Sequence, residues 1–263
     1  MARGVRILVC VGLFLGLAVC PSGSFAADKA APGKPAPVKA AQKTSPPAGV
    51  KGGAPAQPNP AAMFPAVTLP PASPEEIAKL REAAAVYEKK DYTKAIAILT
   101  PMADAGSARA AFSLGLMAMR GHGMPMSTEV AERWWTKSAK GGFPDAQYHL
   151  GFMYHQSLRG GRNPELIARL WSLAAAQGQG DAMYGMGFMY RAGDGVPKDE
   201  KKSLKMFTDA ADLGHPGAAY EAGLMYKYGR TGAAKDLAKA RVYLKKAADA
   251  GVPQARQELA GIK

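Results

Sequence analysis

The sequence predicts an all-α protein, a solenoid of tandem helix–loop–helix repeats, and three observations lead to that prediction. Glycine recurs every 36 residues, at Gly115, Gly151, Gly187 and Gly223. Alanine, an aromatic residue and methionine keep constant positions around each of these glycines. A second glycine ends each copy and recurs at nearly the same interval. A repeat of this length is one helical unit that cannot bury its apolar face alone, so the copies must stack on one another.

The residues around each central glycine predict the first helix of the repeat, here called helix A. The aromatic residue and the glycine lie three positions apart and therefore share one helix face, where the small residue lets a neighbouring helix approach closely. Recurrence at one repeat position favours a core-packing role for the methionines over a binding role. The aromatic column contains Phe112, Tyr148, Tyr184 and Tyr220, and the methionine column contains Met117, Met153, Met189 and Met225.

A loop and a second helix, helix B, complete each repeat. The loop is clearest from Gly193 to Pro197, where glycine allows turn conformations and proline ends the helical option. Helix B carries a pair of large apolar residues: Trp134 and Trp135, Leu170 and Trp171, Met206 and Phe207, Tyr243 and Leu244. Glycine closes helix B in the left-handed conformation at Gly142, Gly178, Gly214 and Gly251.

These columns resemble the Sel-one-like repeat family, a branch of the tetratricopeptide-type helical solenoids. The resemblance covers about Ala108 to Pro253, reaches back more weakly to Ser73, and implies a right-handed α/α solenoid that acts in protein–protein scaffolding. The second copy departs from the pattern, because its loop from His155 to Arg162 lacks both Gly-x-Gly and Val-Pro; this loop is a candidate for a specific role. One copy matches the family pattern in order at Tyr184, Gly187, Met189, Tyr190, Gly193, Gly195, Val196, Pro197, Asp199, Phe207, Ala210, Ala211 and Gly214.

Residues 1–26 are predicted to be a secretory signal peptide. Two arginines precede an apolar run from Ile7 to Val19, which is short for a membrane span, and small residues precede the expected cleavage after Ala26. The alternative is a lipoprotein anchored through Cys20, although the valine before this cysteine fits a lipidation signal poorly. We therefore expect a periplasmic or secreted protein.

Residues 27–72 are predicted to be a disordered linker rich in alanine, proline and lysine. Such a composition offers too little large apolar surface to offset the entropy lost on ordering. The linker contains five lysines and one acidic residue, Asp28. It is therefore interpreted as a solvated spacer, with contact to an anionic cell wall or membrane as the alternative.

Residues 73–263 are predicted to form the solenoid. A tetratricopeptide-like cap repeat, 73–107, begins with a capping box, in which Ser73 caps the helix and Glu76 follows three positions later. Asn163, followed by proline, gives the second copy a good start for helix B. The full repeats are 108–144, 145–180, 181–216 and 217–253, and a C-terminal cap spans 254–263.

The sequence offers little catalytic chemistry. It has no nucleophile elbow, phosphate-binding loop or paired metal-binding histidines, and both cysteines lie in the predicted signal peptide. We therefore expect a protein that is not an enzyme and has no cofactor or metal. The histidines, at His122, His149, His155 and His215, are interpreted as ordinary surface or loop residues.

Charge suggests the kind of partner. The formal net charge is +13, of which +7 falls within residues 73–263. A basic exported protein favours an acidic partner, and we expect no nucleic-acid partner because no recognition motif is present. The predicted partner surface, here called the basic ladder, contains Arg120, His155, Arg159, Arg162, Arg191, Lys227 and Arg230.

The sequence thus predicts a non-catalytic, monomeric adaptor or regulator of the bacterial envelope. We expect it to bind a protein with an acidic surface through the basic ladder. The alternatives are a module that binds anionic glycan or cell-wall polymer and, less favoured, a secreted hydrolase.

Overall fold

A computed structural model describes residues 59–158, 162–230 and 232–262 of the 263-residue chain. The predicted signal peptide, the linker up to residue 58 and Arg159 lie outside the described residues. In the described part, the chain forms helices and no strand, and no helix there is both long and apolar enough to cross a membrane. The helices are α1 (Pro60–Met63), α2 (Pro74–Glu88), α3 (Tyr92–Asp104), α4 (Ala108–Arg120), α5 (Thr128–Lys140), α6 (Pro144–His155), α7 (Pro164–Ala176), α8 (Gly180–Ala192), α9 (Glu200–Asp212), α10 (Pro216–Tyr228), α11 (Leu237–Asp249) and α12 (Pro253–Ala260).

The helices stack in chain order. From α2 onward each helix packs mainly against its successor, so that α4 and α5, α6 and α7, α8 and α9, and α10 and α11 form the helix A and helix B of four consecutive repeats. Helices α2 and α3 form an additional pair before them. The predicted all-α solenoid is confirmed.

The glycine column of helix A is explained by contact with helix B. A Cβ atom added at Gly151 would lie 2.6 Å from Trp171, and one added at Gly187 would lie 2.5 Å from Phe207. No side chain larger than glycine fits beneath these rings without a shift. The contact repeats because each helix B places its large apolar residue on the glycine of its own helix A.

The methionine column is part of the core, as predicted. Its four side chains are 0–3% exposed. Unbranched methionine fills the irregular space between stacked helices, which accounts for its recurrence.

The helices begin and end at the capping residues that the sequence predicts. The Ser73 hydroxyl accepts a hydrogen bond from the Glu76 amide at 3.1 Å, and the Asn163 side chain accepts one from the Leu166 amide at 2.9 Å. The glycines that close helix B have φ values between 83° and 92°, the left-handed region in which glycine is favoured.

The predicted disorder of residues 27–72 is wrong for the part that the structure describes. Residues 59–72, here called the leading segment, form the short helix α1 and pack against the solenoid. Phe64 is only 1% exposed. Met63, Phe64 and Leu69 supply large apolar side chains that the preceding linker residues lack, and their burial offsets the entropy of ordering.

Candidate functional site

The leading segment fills a groove between two consecutive repeats. Helices α5, α6 and α7 form this groove, here called the occupied groove. Phe64 belongs to the same buried cluster as Ala139 of α5, Leu150 of α6, and Leu170 and Leu173 of α7. A single aromatic side chain therefore anchors the segment in the solenoid.

Hydrogen bonds hold the backbone of the leading segment on both sides of this groove. The turn after α5 approaches the same backbone so closely that a Cβ atom on Gly142 would lie 2.6 Å from the Val67 carbonyl oxygen. Such contacts, an apolar anchor with hydrogen bonds to the main chain, are those by which proteins hold extended peptides. The hydrogen bonds are Arg169 Nε to Phe64 O at 3.0 Å, Leu69 N to Gln177 Oε1 at 3.5 Å, and Arg109 Nη2 to Pro70 O at 2.9 Å.

A cavity of about 630 Å³ lies where the leading segment meets α2, α3 and α4. Ile98 and Met102 line its apolar part. Most charges at its edge are paired within the chain: Arg109 with Glu76 at 3.4 Å, and Lys79 with Glu75 at 2.8 Å. The cavity offers apolar surface but little uncompensated charge.

Two members of the basic ladder link successive repeats. Arg191 Nη1 of α8 lies 2.9 Å from Glu221 Oε2 of α10, and Lys227 Nζ of α10 lies 2.6 Å from Glu258 Oε2 of α12. Each cation is on a helix A and each acid is on the next element of the same layer. These charges are therefore neutralised within the solenoid.

The remaining ladder residues have different environments, and Arg159 lies outside the described residues. Arg162 Nη1 donates to Asp194 Oδ1 at 3.1 Å, which joins two loops. His155 is exposed, with its ring 5.5 Å from that of Trp171. The other contacts are Arg120 Nη1 to Tyr87 Oη at 3.5 Å and the Arg230 guanidinium 5.2 Å from the centre of the Tyr228 ring. The described ladder is thus less positive than its sequence suggests, and its role in partner binding stays a prediction.

His149 and His215 are more than ordinary surface or loop residues. The His149 ring lies 5.3 Å from Trp135 and 5.4 Å from Phe112, and burial lowers its pKa to about 4. His215 Nδ1 accepts a hydrogen bond from the Ala218 amide at 3.0 Å. Its other ring nitrogen lies 3.3 Å from Asp181 Oδ1, and this contact lowers the pKa of the Asp181 carboxyl group.

These histidines do not form a metal site. Across residues 59–158, 162–230 and 232–262, no group of three or more His, Cys, Asp or Glu side chains is arranged to hold a metal ion. Burial and ring stacking account for His149, and helix capping accounts for His215.

Sequence reasoning missed the residues that hold the leading segment. Phe64 is the only aromatic residue between Phe25 and Tyr87, which was a usable signal for an anchor. Arg169 and Gln177 gave no such signal, because they become partners of the segment only once α5 and α7 are stacked.

Comparison with known proteins places the chain among repeat solenoids. The family model described as Sel1 repeat matches five times, at residues 86–107, 108–143, 144–179, 180–215 and 216–252. The first full repeat begins at residue 108, as predicted from the sequence, and each of the other three begins one residue earlier than predicted. The first match includes all of α3 and the end of α2.

Solved structures show the same architecture. A Sel1 repeat protein from Oxalobacter formigenes is 28% identical, with 68% of this chain and 73% of that chain covered and a TM-score of 0.64. A protective antigen of uropathogenic Escherichia coli with an SLR fold is 31% identical, with 64% of this chain covered and a TM-score of 0.60. The match spans only 36% of the antigen's length. A comparison with curated proteins found no match.

Proposed function

The chain belongs to the Sel1 repeat family, whose members generally act in protein–protein interaction, and on that premise we propose that it is a non-catalytic scaffold that binds a segment of another protein. One observation carries the proposal: the solenoid holds a peptide of its own, the leading segment, in the occupied groove. The groove lies between stacked repeats, and similar repeats continue beyond it. The groove that holds this segment therefore has repeat-equivalents along the solenoid, and we propose that one of them takes a segment of a partner.

The contacts of the leading segment indicate how strongly such a surface binds. Burial of one phenylalanine contributes about 2 to 3 kcal/mol, and each hydrogen bond contributes about 1 kcal/mol. A separate peptide would also lose translational and rotational freedom on binding, which opposes these gains. We therefore expect a single segment to bind weakly and a folded partner to add contacts elsewhere on the solenoid.

We also propose that the scaffold acts outside the cytoplasm, in the periplasm or as a secreted protein. The arginines, apolar run and small residues of positions 1–26 support export. Mass spectrometry of the mature protein should find Ala27 at the amino terminus. A diacylglyceryl group on Cys20 would instead establish the lipoprotein alternative.

An affinity pull-down from a cross-linked envelope fraction tests the scaffold function. Tagged protein should recover a partner that then binds the purified chain directly, as measured by calorimetry. The same capture with Arg120→Glu and Arg230→Glu tests whether the partner has an acidic surface, because charge reversal should then weaken recovery. Recovery of glycan alone, with binding that falls steeply as salt rises, would favour the polymer-binding alternative and contradict the scaffold.

A further inference from the structure

The next pair of repeats forms a second groove that no part of the described chain fills. Helices α7, α8 and α9 surround a cavity of about 290 Å³, here called the open groove. Its lining residues lie 36 positions after residues of the occupied groove: Met186 after Leu150, Met206 after Leu170, and Asp209 after Leu173. The open groove is therefore the repeat-equivalent of the place where Phe64 is buried.

The groove on the other side is closed by the chain's own side chains. Between α9, α10 and α11, the Tyr243 ring stacks on the Tyr226 ring with centres 5.9 Å apart and planes 8° apart. Tyr226 is the repeat-equivalent of Tyr190, which lines the open groove. Tyr243 is the repeat-equivalent of Met206; the two are one residue further apart in sequence than the other equivalent positions because the fourth loop has an extra residue. The middle groove, by contrast, is lined by methionines and contains the 290 Å³ cavity.

The path that a bound segment would follow is also free at the open groove. Gly142, beside the occupied groove, approaches the Val67 carbonyl oxygen, whereas a Cβ atom on its equivalent Gly178 would have no neighbour within 4 Å. Both glycines have nearly the same φ, 83° and 86°. The turn is thus shaped alike in both places, and only the first has a segment over it.

Two further positions match the contacts of the leading segment. Lys205 is equivalent to Arg169, which donates to the Phe64 carbonyl oxygen. The Lys205 ammonium group pairs with Asp209 at 2.7 Å and has two further N–H donors for a bound backbone. Leu213 is equivalent to Gln177 and is 59% exposed, a large apolar side chain at the edge of the groove. The flexible methionines inside the groove suit an aromatic anchor, because sulfur packs favourably against ring edges.

One difference specifies the chemistry of the occupant. Arg109 donates to the Pro70 carbonyl oxygen, six residues after the anchor, and its repeat-equivalent at the open groove is Asp145. Burial raises the pKa of the Asp145 carboxyl group; a hydrogen bond from the Gln179 side chain opposes this shift, and nearby Asp181 adds to it. A carboxylate would repel a carbonyl oxygen there and attract a cation.

If export removes residues 1–26, as predicted, the rest of the chain before the leading segment does not itself provide such a segment. Residues 27–58 contain no aromatic residue and no leucine, isoleucine or methionine. A second copy's leading segment would place the Pro70 carbonyl oxygen against Asp145, which is the unfavourable arrangement. The occupant must therefore come from a different protein.

We propose that the open groove binds an extended segment of a partner protein that inserts an aromatic side chain between α7 and α9 and carries a lysine or arginine about six residues later. The proposal rests on the proposed scaffold function and adds the place of binding and the sequence that is recognised. It differs from the basic ladder, which would select acidic partners.

Synthetic peptides test the proposal on the intact chain. The probe is a fluorescent copy of residues 61–70 with the change Pro70→Lys, and its affinity is measured by anisotropy up to millimolar protein. We expect it to bind at least about fivefold more tightly than the unchanged peptide because of the added charge pair. A further change, Phe64→Ala in the peptide, should weaken binding at least about tenfold.

Protein variants then locate the binding. Met206→Tyr should stack on Tyr190 as Tyr243 stacks on Tyr226, close the groove, and weaken peptide binding at least about tenfold. Met206→Leu is the matched control, and it should keep the groove apolar and the affinity within about twofold. Asp145→Asn should remove the preference for the lysine peptide without removing binding.

Equal binding to the parent chain and to Met206→Tyr, or binding only after the leading segment is deleted, would overturn the proposal. No binding of any peptide would overturn it as well. Failure of the open groove can be distinguished from failure of the scaffold function. If the Met206→Tyr variant still captures a partner in the pull-down, the chain is a scaffold, but the partner does not bind at the open groove.

Discussion

The occupied groove and the open groove are built by the same elements, yet one is filled from within the chain and the other is not. Both lie between consecutive B helices, above a helix A and beside a closing glycine. At the occupied groove, Leu170 and Leu173 face an apolar segment, whereas Met206 and Asp209 stand at the open one. The repeated backbone fixes the shape of the groove, and a few side chains decide its occupant.

The third groove shows that an empty groove is not a necessary consequence of the repeat. Tyr226 and Tyr243 close it with two stacked rings. The chain therefore uses two ways of covering this surface, a segment from before the repeats and a large side chain from within them. The open groove uses neither, which makes the comparison between grooves testable by mutation.

The largest expected effect is the loss of the anchor in the occupied groove. Phe64→Ala should lower the free energy of unfolding by about 3 kcal/mol, because the buried ring leaves a cavity or the segment detaches. Urea denaturation measures the loss, and limited proteolysis should show earlier cleavage within residues 59–72. Val67→Ala is the matched control, since Val67 is 39% exposed and should cost less than about 1 kcal/mol. Similar losses for both variants would mean that Phe64 does not anchor the segment.

Acid should distinguish the two grooves through His149 of α6, whose repeat-equivalent on α8 is Gly185. The pKa of His149 is lowered from 6.5 to about 4 in the folded chain, so the unfolded chain takes up the proton first as the pH falls. The free energy of unfolding should therefore keep its full value above pH 6.5 and fall as the pH drops from 6.5 to about 4. The total decrease should be at most about 3 kcal/mol.

Urea midpoints measured across this pH range for the parent and for His149→Phe check the assignment. The variant should lack the slope in that window, because phenylalanine can stack on Trp135 without titrating. Hydrogen exchange should show α6 losing protection before α8. A variant with the parent's pH profile would exclude His149 as the source of acid sensitivity.

The closing glycines give a direct measure of the leading segment's contact. Gly178→Ala should lower the free energy of unfolding by about 1 kcal/mol, because alanine is strained at φ 86° although its Cβ atom would meet no neighbour. Gly142→Ala has the same backbone strain and also meets the Val67 carbonyl oxygen, so it should cost about 1 to 2 kcal/mol more. Deleting residues 59–72 from both variants should make their costs equal. If the two alanine variants still differ in stability after the deletion, the cause of the difference lies outside the leading segment.

The part of this picture that sequence could predict is the part that repeats. Gly187 and Phe207 recur with their counterparts in every copy, so their contact follows from spacing and helix geometry alone. Phe64 occurs once, within a stretch whose average composition predicts disorder, so no pattern shows where it packs. Glu221 neutralises Arg191 from 30 residues away, and that pairing depends on how the repeats stack in three dimensions. The sequence therefore predicts the repeat fold, but it does not predict the order of the leading segment or the pairing of the ladder's charges.

The smallest expected effect concerns the ion pair between Arg191 and Glu221, which joins the open-groove repeat to the next one. His155 and Gly185 stand at the equivalent positions of the preceding repeats, so no such pair is possible there. Arg191→Gln should lower the free energy of unfolding by less than about 1 kcal/mol, because the arginine side chain remains 38% exposed and water screens the charges. His155→Gln is the control and should be nearly neutral. Denaturation in low and high salt checks the cause, since the difference between Arg191→Gln and the parent should shrink as salt rises. A loss that salt does not change would assign the role of Arg191 to its packing on Phe188, whose ring centre lies 4.5 Å from the guanidinium carbon, and not to its charge.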